Sequence, residues 1–149
     1  MFAPLILVLA ILSPQVPAMV LPDGNGAWTV HVATVGGLSG GGDGDFALSS
    51  EGKIVCGSDL RCPKDFRVPD FQSLIGKIQS TLPVPPMVVV SLCSDCIRRT
   101  ITIRRRDSMG VVQTYTAMWD ETTRSQVPEE VILLYDAITA LMKCFPNED

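Results

Sequence analysis

Five cysteines are the side chains of this chain best suited to crosslinking, redox or metal chemistry. Four of them form two closely spaced pairs, Cys56 with Cys62 and Cys93 with Cys96, and the fifth, Cys144, stands alone. Disulfides are the ordinary state of cysteines in exported proteins. Bridges within each pair need the least rearrangement of the chain, and a bridge between the loops, such as Cys56 to Cys93, is the alternative. The sequence therefore predicts disulfides among these four cysteines and leaves Cys144 as a half-buried thiol or an intermolecular link.

A zinc site is the main alternative for the same four cysteines. Four thiolates in tetrahedral geometry suit Zn²⁺. The two-residue spacer between Cys93 and Cys96 is typical of a zinc knuckle, whereas the five-residue spacer between Cys56 and Cys62 is loose. A thioredoxin-like role is less favoured, because such a pair stands at a helix N-terminus and here a strand is predicted to follow. We therefore expect no cofactor and no metal, with Cys56, Cys62, Cys93 and Cys96 as ligands only in the zinc alternative.

His31 is the only histidine of the chain. It lies between Val30 and Val32 in a predicted strand, with no nucleophile or metal-ligating residue close to it in sequence. Nucleophilic and metal-assisted hydrolysis both need such partners, and none of the serines stands in a nucleophile-elbow pattern. We predict that the chain has no catalytic residues and is not an enzyme, with a small enzyme that uses His31 as the alternative.

The charges are distributed unevenly. A formal net charge of −4 and an aromatic fraction of 6% argue against a nucleic-acid partner, which requires a strongly basic face. One segment is nevertheless basic, and it contains Arg98, Arg99, Arg104, Arg105 and Arg106. The first interpretation is a solvated strand face that protects a sheet edge against aggregation. The second is a surface that binds an acidic protein partner or another anionic surface.

Residues 36–44 form a glycine-rich turn that cannot hold a regular element, because glycine loses too much conformational entropy there. The turn lacks the Lys-Ser/Thr ending of a phosphate-binding loop and leads into a strand instead of a helix, so it does not match such a loop. Loops on rigid sheets often carry recognition. The candidate binding loop therefore comprises Gly36, Gly37, Leu38 and Gly40.

The pattern of residues 1–18 predicts a secretory signal peptide. An unbroken apolar run at residues 5–12 is followed by helix-breaking residues and by the small-residue pattern Val16-x-Ala18. The run is too short to cross a bilayer. We expect cleavage after Ala18, a mature chain that begins at Met19 without a stable membrane anchor, and a secreted or periplasmic location. A buried N-terminal strand or helix is the alternative.

The mature chain, residues 19–149, is predicted to be a single α+β domain with a flexible lead-in at residues 19–27. Alternating, β-branched patterns predict strands, and a proline followed by acidic residues predicts each helix start. Strands are predicted at residues 28–35, 45–49, 53–56, 97–105 and 111–117, helices after Pro69 and from Pro128 to about Lys143, and a strand or an ordered loop at 87–92. The order predicts one antiparallel sheet, made of two hairpin or meander units, with two helices packed on one face.

This layout resembles the emfourin family of small bacterial protein inhibitors of thermolysin-type metalloproteases. The residues that carry the resemblance are the Gly36-Gly37-Leu38-x-Gly40 turn, Ser94-Asp95 before a strand, Tyr115, Asp120, and a Val127-Pro128 helix start with Leu134 and Leu141. The resemblance implies a protein that binds a protease. It carries no particular contact residue over to this chain.

Together these observations predict a secreted or periplasmic, non-enzymatic binding protein with a protein partner, and the resemblance implies that it inhibits a metalloprotease. The alternative is a zinc- or disulfide-stabilised structural or interaction module. The oligomeric state is left open.

Overall fold

A computed structural model describes residues 19–36, 44–57, 66–81, 87–88, 93 and 95–143. The strands are β1 (Trp28–Val35), β2 (Asp45–Ser49), β3 (Ile54–Cys56), β4 (Met87–Val88), β5 (Arg98–Arg106) and β6 (Val112–Trp119), and the α-helices are α1 (Val68–Thr81) and α2 (Glu129–Lys143). A short 3-10 helix, Arg124–Gln126, lies between β6 and α2.

These elements build one sheet in the order β3-β2-β1-β5-β6-β4. The meander β1-β2-β3 and the hairpin β5-β6 are joined side by side, because β1 pairs antiparallel with β5 along its whole length. The predicted α+β class is confirmed, with five strands that run antiparallel. β4 adds a sixth, two-residue strand that runs parallel to β6, within the segment for which the sequence left a strand and a loop open.

One face of the sheet is the floor of the hydrophobic core. Residues alternate across a strand, and Trp28, Val30 and Val32 of β1 are all buried. Their cross-strand neighbours Ile101 and Ile103 are buried on the same face. Burying an isoleucine or a valine completely stabilises a fold by about 1.5–3 kcal/mol, so this face holds the helices against the sheet.

Both α-helices bury their apolar side chains in this same core. The residues that do so share the i, i+3, i+4 spacing of an amphipathic helix. They are Phe71, Ile75 and Ile78 of α1 and Val131, Leu134, Tyr135 and Ile138 of α2. Two polar or aromatic contacts fix the packing: the indole N–H of Trp28 donates to Gln72, and the rings of Trp119 and Tyr135 meet edge to face at 5.0 Å. Neither α1 nor α2, the α-helices of the described residues, is long and apolar enough to cross a membrane.

The chain before β1 lies against the end of β5. Gly26 N–H donates to Arg106 O at 3.0 Å and Arg106 N–H donates to Ala27 O at 2.8 Å, while Leu21 is buried. These contacts continue the β1–β5 pairing past the start of β1. They lie within residues 19–27, for which a flexible lead-in stays a prediction.

Asp120 organises the turn that links the sheet to the 3-10 helix. Its carboxylate oxygen Oδ1 accepts hydrogen bonds from the backbone N–H groups of Thr122, at 2.8 Å, and Thr123, at 3.1 Å. The hydroxyls of the same two threonines also donate to Oδ1, at 2.7 and 3.2 Å. A buried carboxylate that accepts several hydrogen bonds in this way fixes the backbone of a tight turn.

Candidate binding surface

The side of the sheet opposite the helices carries mainly polar and charged side chains, and we call it the open face. Cross-strand pairing places His31 of β1 between Ala47 of β2 and Thr102 of β5. Since cross-strand partners share a face, the polar members of the open face follow from the register. They are Thr29, His31, Asp45, Ser49, Arg98, Thr100, Thr102, Arg104, Arg106, Thr114 and Thr116. Thr29 and Ser49 are buried, so the accessible polar side chains of this face lie mainly on β5 and β6.

His31 pairs with a carboxylate on this face. Its Nε2 atom lies 2.5 Å from Oδ1 of Asp45, and the side chains are 41% and 23% exposed. Asp45 is opposite Ala33 in the register, so the two side chains meet diagonally across β1 and β2. The pair therefore holds the first residue of β2, where the chain leaves the glycine turn, against the middle of β1.

Two further hydrogen bonds fix the end of the glycine turn. The hydroxyl of Thr34 donates to the carbonyl of Gly44 at 2.8 Å, and the N–H of Gly57 donates to the carbonyl of Asp45 at 2.7 Å. Contacts from β1 and from the residue that follows β3 thus hold residues 44 and 45. A loop that returns to such a base is anchored by the sheet itself.

The start of the turn is packed against a second loop. Gly36 has a positive φ of 100°, and a Cβ atom placed on it would lie 3.2 Å from the carbonyl oxygen of Cys96. Glycine tolerates this conformation and this approach, whereas other residues do not. Gly36, the described member of the predicted binding loop, is therefore at the base of the loop and beside the Cys93–Cys96 turn.

The cysteines are paired locally where the structure describes them. Cys93 and Cys96 form a disulfide with a Cα–Cα distance of 5.5 Å, which is within the ordinary range for such a bond. Cys56 is also disulfide-bonded. Because Cys93 is bonded to Cys96, the alternative bridge between Cys56 and Cys93 is not formed. The cysteine turn and the end of β3 lie at the same end of the sheet as the glycine turn, which we call the loop end.

The arginines of β5 divide between the two faces. Arg98, Arg104 and Arg106 belong to the open face, whereas Arg99 and Arg105 point to the helix side, as the alternation of the strand requires. Arg98 is exposed. Arg106 is held by its contacts with the carboxylate of Asp23, at 3.9 Å, and the carbonyl of Gly110, at 3.2 Å.

The interpretation of this segment as edge protection is wrong. β5 lies between β1 and β6, so its arginines are in the interior of the sheet and protect no edge. The sequence could not reveal this, because the long-range pairing of β1 with β5 decides which strand is central. The arginines that remain on the open face instead place positive charge at both ends of an interior strand of the sheet.

Arg99 forms an ion pair at the loop end. Its guanidinium donates to Oε1 of Glu121 at 2.7 Å, and this hydrogen bond lowers the pKa of the Glu121 carboxyl. The pair connects the start of β5 to the residue that follows the buried Asp120. It therefore ties the loop end to the turn before α2.

No protein-family model, curated protein or solved structure matches this chain. The residues predicted to take part in binding or crosslinking are therefore assessed from the geometry of the structure alone. Several of them lie outside the described residues, namely the leader at residues 1–18, Gly37, Leu38 and Gly40 of the binding loop, and Cys62 and Cys144.

The described geometry offers recognition chemistry on the open face. Guanidinium groups donate hydrogen bonds to carboxylates, and threonine hydroxyls both donate and accept. His31 and Asp45 form the kind of pair that orients a general base, but in the part of the chain that the structure describes no hydroxyl or thiol bonds to that histidine. Within the same residues, no three His, Cys, Asp or Glu side chains are grouped to hold a metal ion.

The partnership of His31 with Asp45 was not foreseen from the sequence. The two residues are separated by 14 positions with the glycine turn between them. The alternating patterns of both strands were recognisable, but the register of a hairpin follows from its turn, and a long glycine turn leaves that register undefined.

Proposed function

We propose that the mature chain is an exported, non-enzymatic protein-binding domain. The observation that carries this proposal is the asymmetry of the sheet. Both α-helices of the described residues pack on one face. On the other face, Thr29, Ala47 and Ser49 are buried, whereas the charged and hydroxyl side chains of β5 and β6 are at least partly exposed and project from paired strands. A preorganised surface loses little conformational entropy on binding, so more of its contact energy appears as affinity.

The chemistry of the open face favours an acidic partner. Arg98 is exposed at the loop end and Arg104 lies further along the same strand, with threonines on neighbouring strands. Arginine binds carboxylates with directed, paired hydrogen bonds. Although the whole chain has a net charge of −4, electrostatic steering depends on the local surface that meets the partner.

The target class that we propose is a thermolysin-type metalloprotease, in line with the resemblance to emfourins. The loop end supports this proposal with a candidate contact region, since the described ends of the glycine turn are held there. Gly44 accepts a hydrogen bond from Thr34, and Asp45 pairs with His31. An inhibitor that occupies a protease cleft benefits from a loop whose base is held in place.

Export to an oxidising compartment is part of the proposal. Its support comes from the signal-like composition of residues 1–18 and from the Cys93–Cys96 disulfide. Disulfides persist in secreted and periplasmic proteins and are rare in the cytosol. The two observations are independent, because one is a property of the leader and the other of the folded domain.

A crosslinked structural module is the second candidate function. It is favoured by the paired state of Cys93 and Cys96 and of Cys56, which would stabilise any scaffold in the same way. Its zinc form requires four free thiolates, so metal analysis and a thiol count on exported protein distinguish the two forms.

Inhibition of purified thermolysin-type proteases by the mature protein, residues 19–149, tests the proposal. We expect micromolar protein to inhibit them and Arg98→Glu to weaken inhibition at least about tenfold, because reversing an interface charge repels an acidic partner. Lys77→Glu is the matched control, since it makes the same charge change at an exposed position of α1. Full protease activity in micromolar excess of the wild-type protein would show that this target class is wrong.

A further inference from the structure

The outer edge of β6 is the least protected strand edge of the described sheet. In the part of the chain that the structure describes, β4 pairs with β6 only at Ala117 and Met118. The preceding residues 112–114 are exposed, with Val112 at 40%. Three prolines, Pro83, Pro85 and Pro86, precede β4 in the sequence, and a proline has no N–H group to donate to a strand ladder.

The backbone groups that point outward can be identified from the hairpin. Asp107 N–H donates to Val111 O at 2.9 Å, which marks this pair as a hydrogen-bonded one. Hydrogen-bonded pairs alternate along an antiparallel ladder. The N–H and C=O groups of Val112 and Thr114 and the N–H of Thr116 therefore point away from β5.

This edge lacks the devices that usually prevent strands from associating. Residues 112–116 read Val-Gln-Thr-Tyr-Thr, without a charge or a proline, and such residues favour extended structure. The other two edge strands are short: β3 has three residues and β4 has two. Natural sheet edges are protected from association by short strands, charges or prolines. The edge of β6 at residues 112–116 has none of these.

We propose that the edge of β6 binds the same edge of a second copy of this chain. A two-fold axis at Thr114 would run the two strands antiparallel, with each Thr114 opposite its counterpart. The N–H and C=O groups of the two Thr114 residues would pair with each other, and the N–H of Thr116 would donate to the carbonyl of Val112 in the second copy. The result is one continuous sheet through both molecules.

The length of the exposed stretch is what favours a second copy over an unrelated strand. Pairing around Thr114 uses residues 112–116 and no others. It ends on one side where the β5–β6 turn begins and on the other where Met87 of β4 pairs with Ala117. The outward hydrogen-bonding groups are arranged symmetrically about Thr114, so they match those of an antiparallel second copy.

The charges and apolar side chains are compatible with this arrangement. Arg104 is opposite Thr114 in the register, so the two Arg104 residues would be three strand spacings apart, roughly 14 Å, which is beyond the screening length in physiological salt. Met109 and Val111 are 82% and 53% exposed beside the same edge. Their positions add apolar area at both ends of the paired strands.

Sedimentation of the mature protein from micromolar to millimolar concentration tests this inference. All samples carry Cys144→Ser, so that a covalent link through that cysteine cannot produce a dimer. We expect a reversible dimer for the parent protein. Thr114→Pro removes an outward N–H without breaking a bond to β5, and Thr114→Lys places like charges opposite each other. Each should raise the dimer dissociation constant at least about tenfold, because every lost contact is lost twice by symmetry.

Gln113→Lys is the matched control. It adds the same charge to the same strand, but its side chain belongs to the helix side and its backbone groups face β5, so the dimer should persist. Unchanged unfolding temperatures establish that all variants fold. A parent protein that stays monomeric at millimolar concentration, or folded Thr114 variants that dimerise as the parent does, would overturn the inference.

Discussion

The carbonyl oxygen of Cys96 lies 3.2 Å from the position that a Cβ atom on Gly36 would occupy. The first residue after β1 therefore lies close to the last residue of the disulfide-bonded turn. The base of the glycine turn and the Cys93–Cys96 bridge are side by side at the loop end. A side chain at position 36 would meet the Cys96 carbonyl.

Gly36→Ala should therefore destabilise the fold by more than conformational strain alone. A non-glycine residue at positive φ costs about 1–2 kcal/mol, and the contact with Cys96 adds to that cost. Gly24→Ala is the control, because Gly24 has a similar φ of 113° with no atom within 4 Å of the added Cβ. Chemical denaturation measures both losses, and equal losses in the two variants would argue against the contact.

Asp120→Ala should lower the free energy of unfolding by about 1–3 kcal/mol, because it leaves buried donors without their acceptor. The backbone N–H groups of Thr122 and Thr123 both depend on Oδ1 of Asp120. Asp120→Asn keeps an oxygen in that position and should cost less. The account of this turn fails if urea denaturation finds the two variants equally stable.

The ion pair of Arg99 with Glu121 predicts a dependence of stability on pH. The hydrogen bond from Arg99 lowers the pKa of Glu121 in the folded protein below its ordinary value of 4.5. A carboxyl with a lowered folded pKa stabilises the fold above its unfolded pKa, and this stabilisation is lost as pH falls through the folded pKa. The stability difference between wild type and Arg99→Gln should therefore shrink in acid.

Carboxyl titration by NMR measures this effect at Glu121 itself. In Arg99→Gln the pKa of Glu121 should rise towards its ordinary value. Arg124→Gln is a matched control that breaks a different ion pair of equal length, 2.7 Å to Asp136, and it should leave Glu121 unchanged. The same Glu121 titration curve in wild type and Arg99→Gln would contradict the assigned cause.

His31 and Asp45 should be energetically coupled. The pair is partly exposed, and pairs of this kind contribute about 0.2–1 kcal/mol. A double-mutant cycle with His31→Ala and Asp45→Ala isolates that coupling from the other contacts of each residue. Strict additivity of the two single substitutions would mean that the pair does not help to hold the end of the glycine turn.

Local patterns in the sequence were sufficient for most elements of the fold. The predicted first two strands coincide with β1 and β2, and α2 begins one residue after Pro128. Alternation and helix-start chemistry act over a few residues, so a single sequence contains them. The spacing of Cys93 and Cys96 predicted a local disulfide across a tight turn, and these two cysteines are bonded to each other.

Long-range relationships were not accessible in the same way. The central position of β5, the parallel β4, and the contact of Gly36 with Cys96 all depend on which distant segments meet. His31 illustrates the difference: its strand was evident, but its partner Asp45 follows from a register that the glycine turn does not specify. The sequence therefore identified the types of residue on the candidate surface, but it could not predict which of them lie next to each other.

We propose that this chain is exported and becomes a crosslinked binding domain. Intact-mass analysis of the exported protein, with alkylation before and after reduction, can decide both points. We predict a chain that begins at Met19, with one cysteine alkylated before reduction and all five afterwards. The reason is that Cys93 is bonded to Cys96 and Cys56 is bonded to a further cysteine, which leaves one of the five cysteines. Full-length protein that begins at Met1, recovered from the cytosol with all five thiols free, would show that the chain is neither exported nor crosslinked.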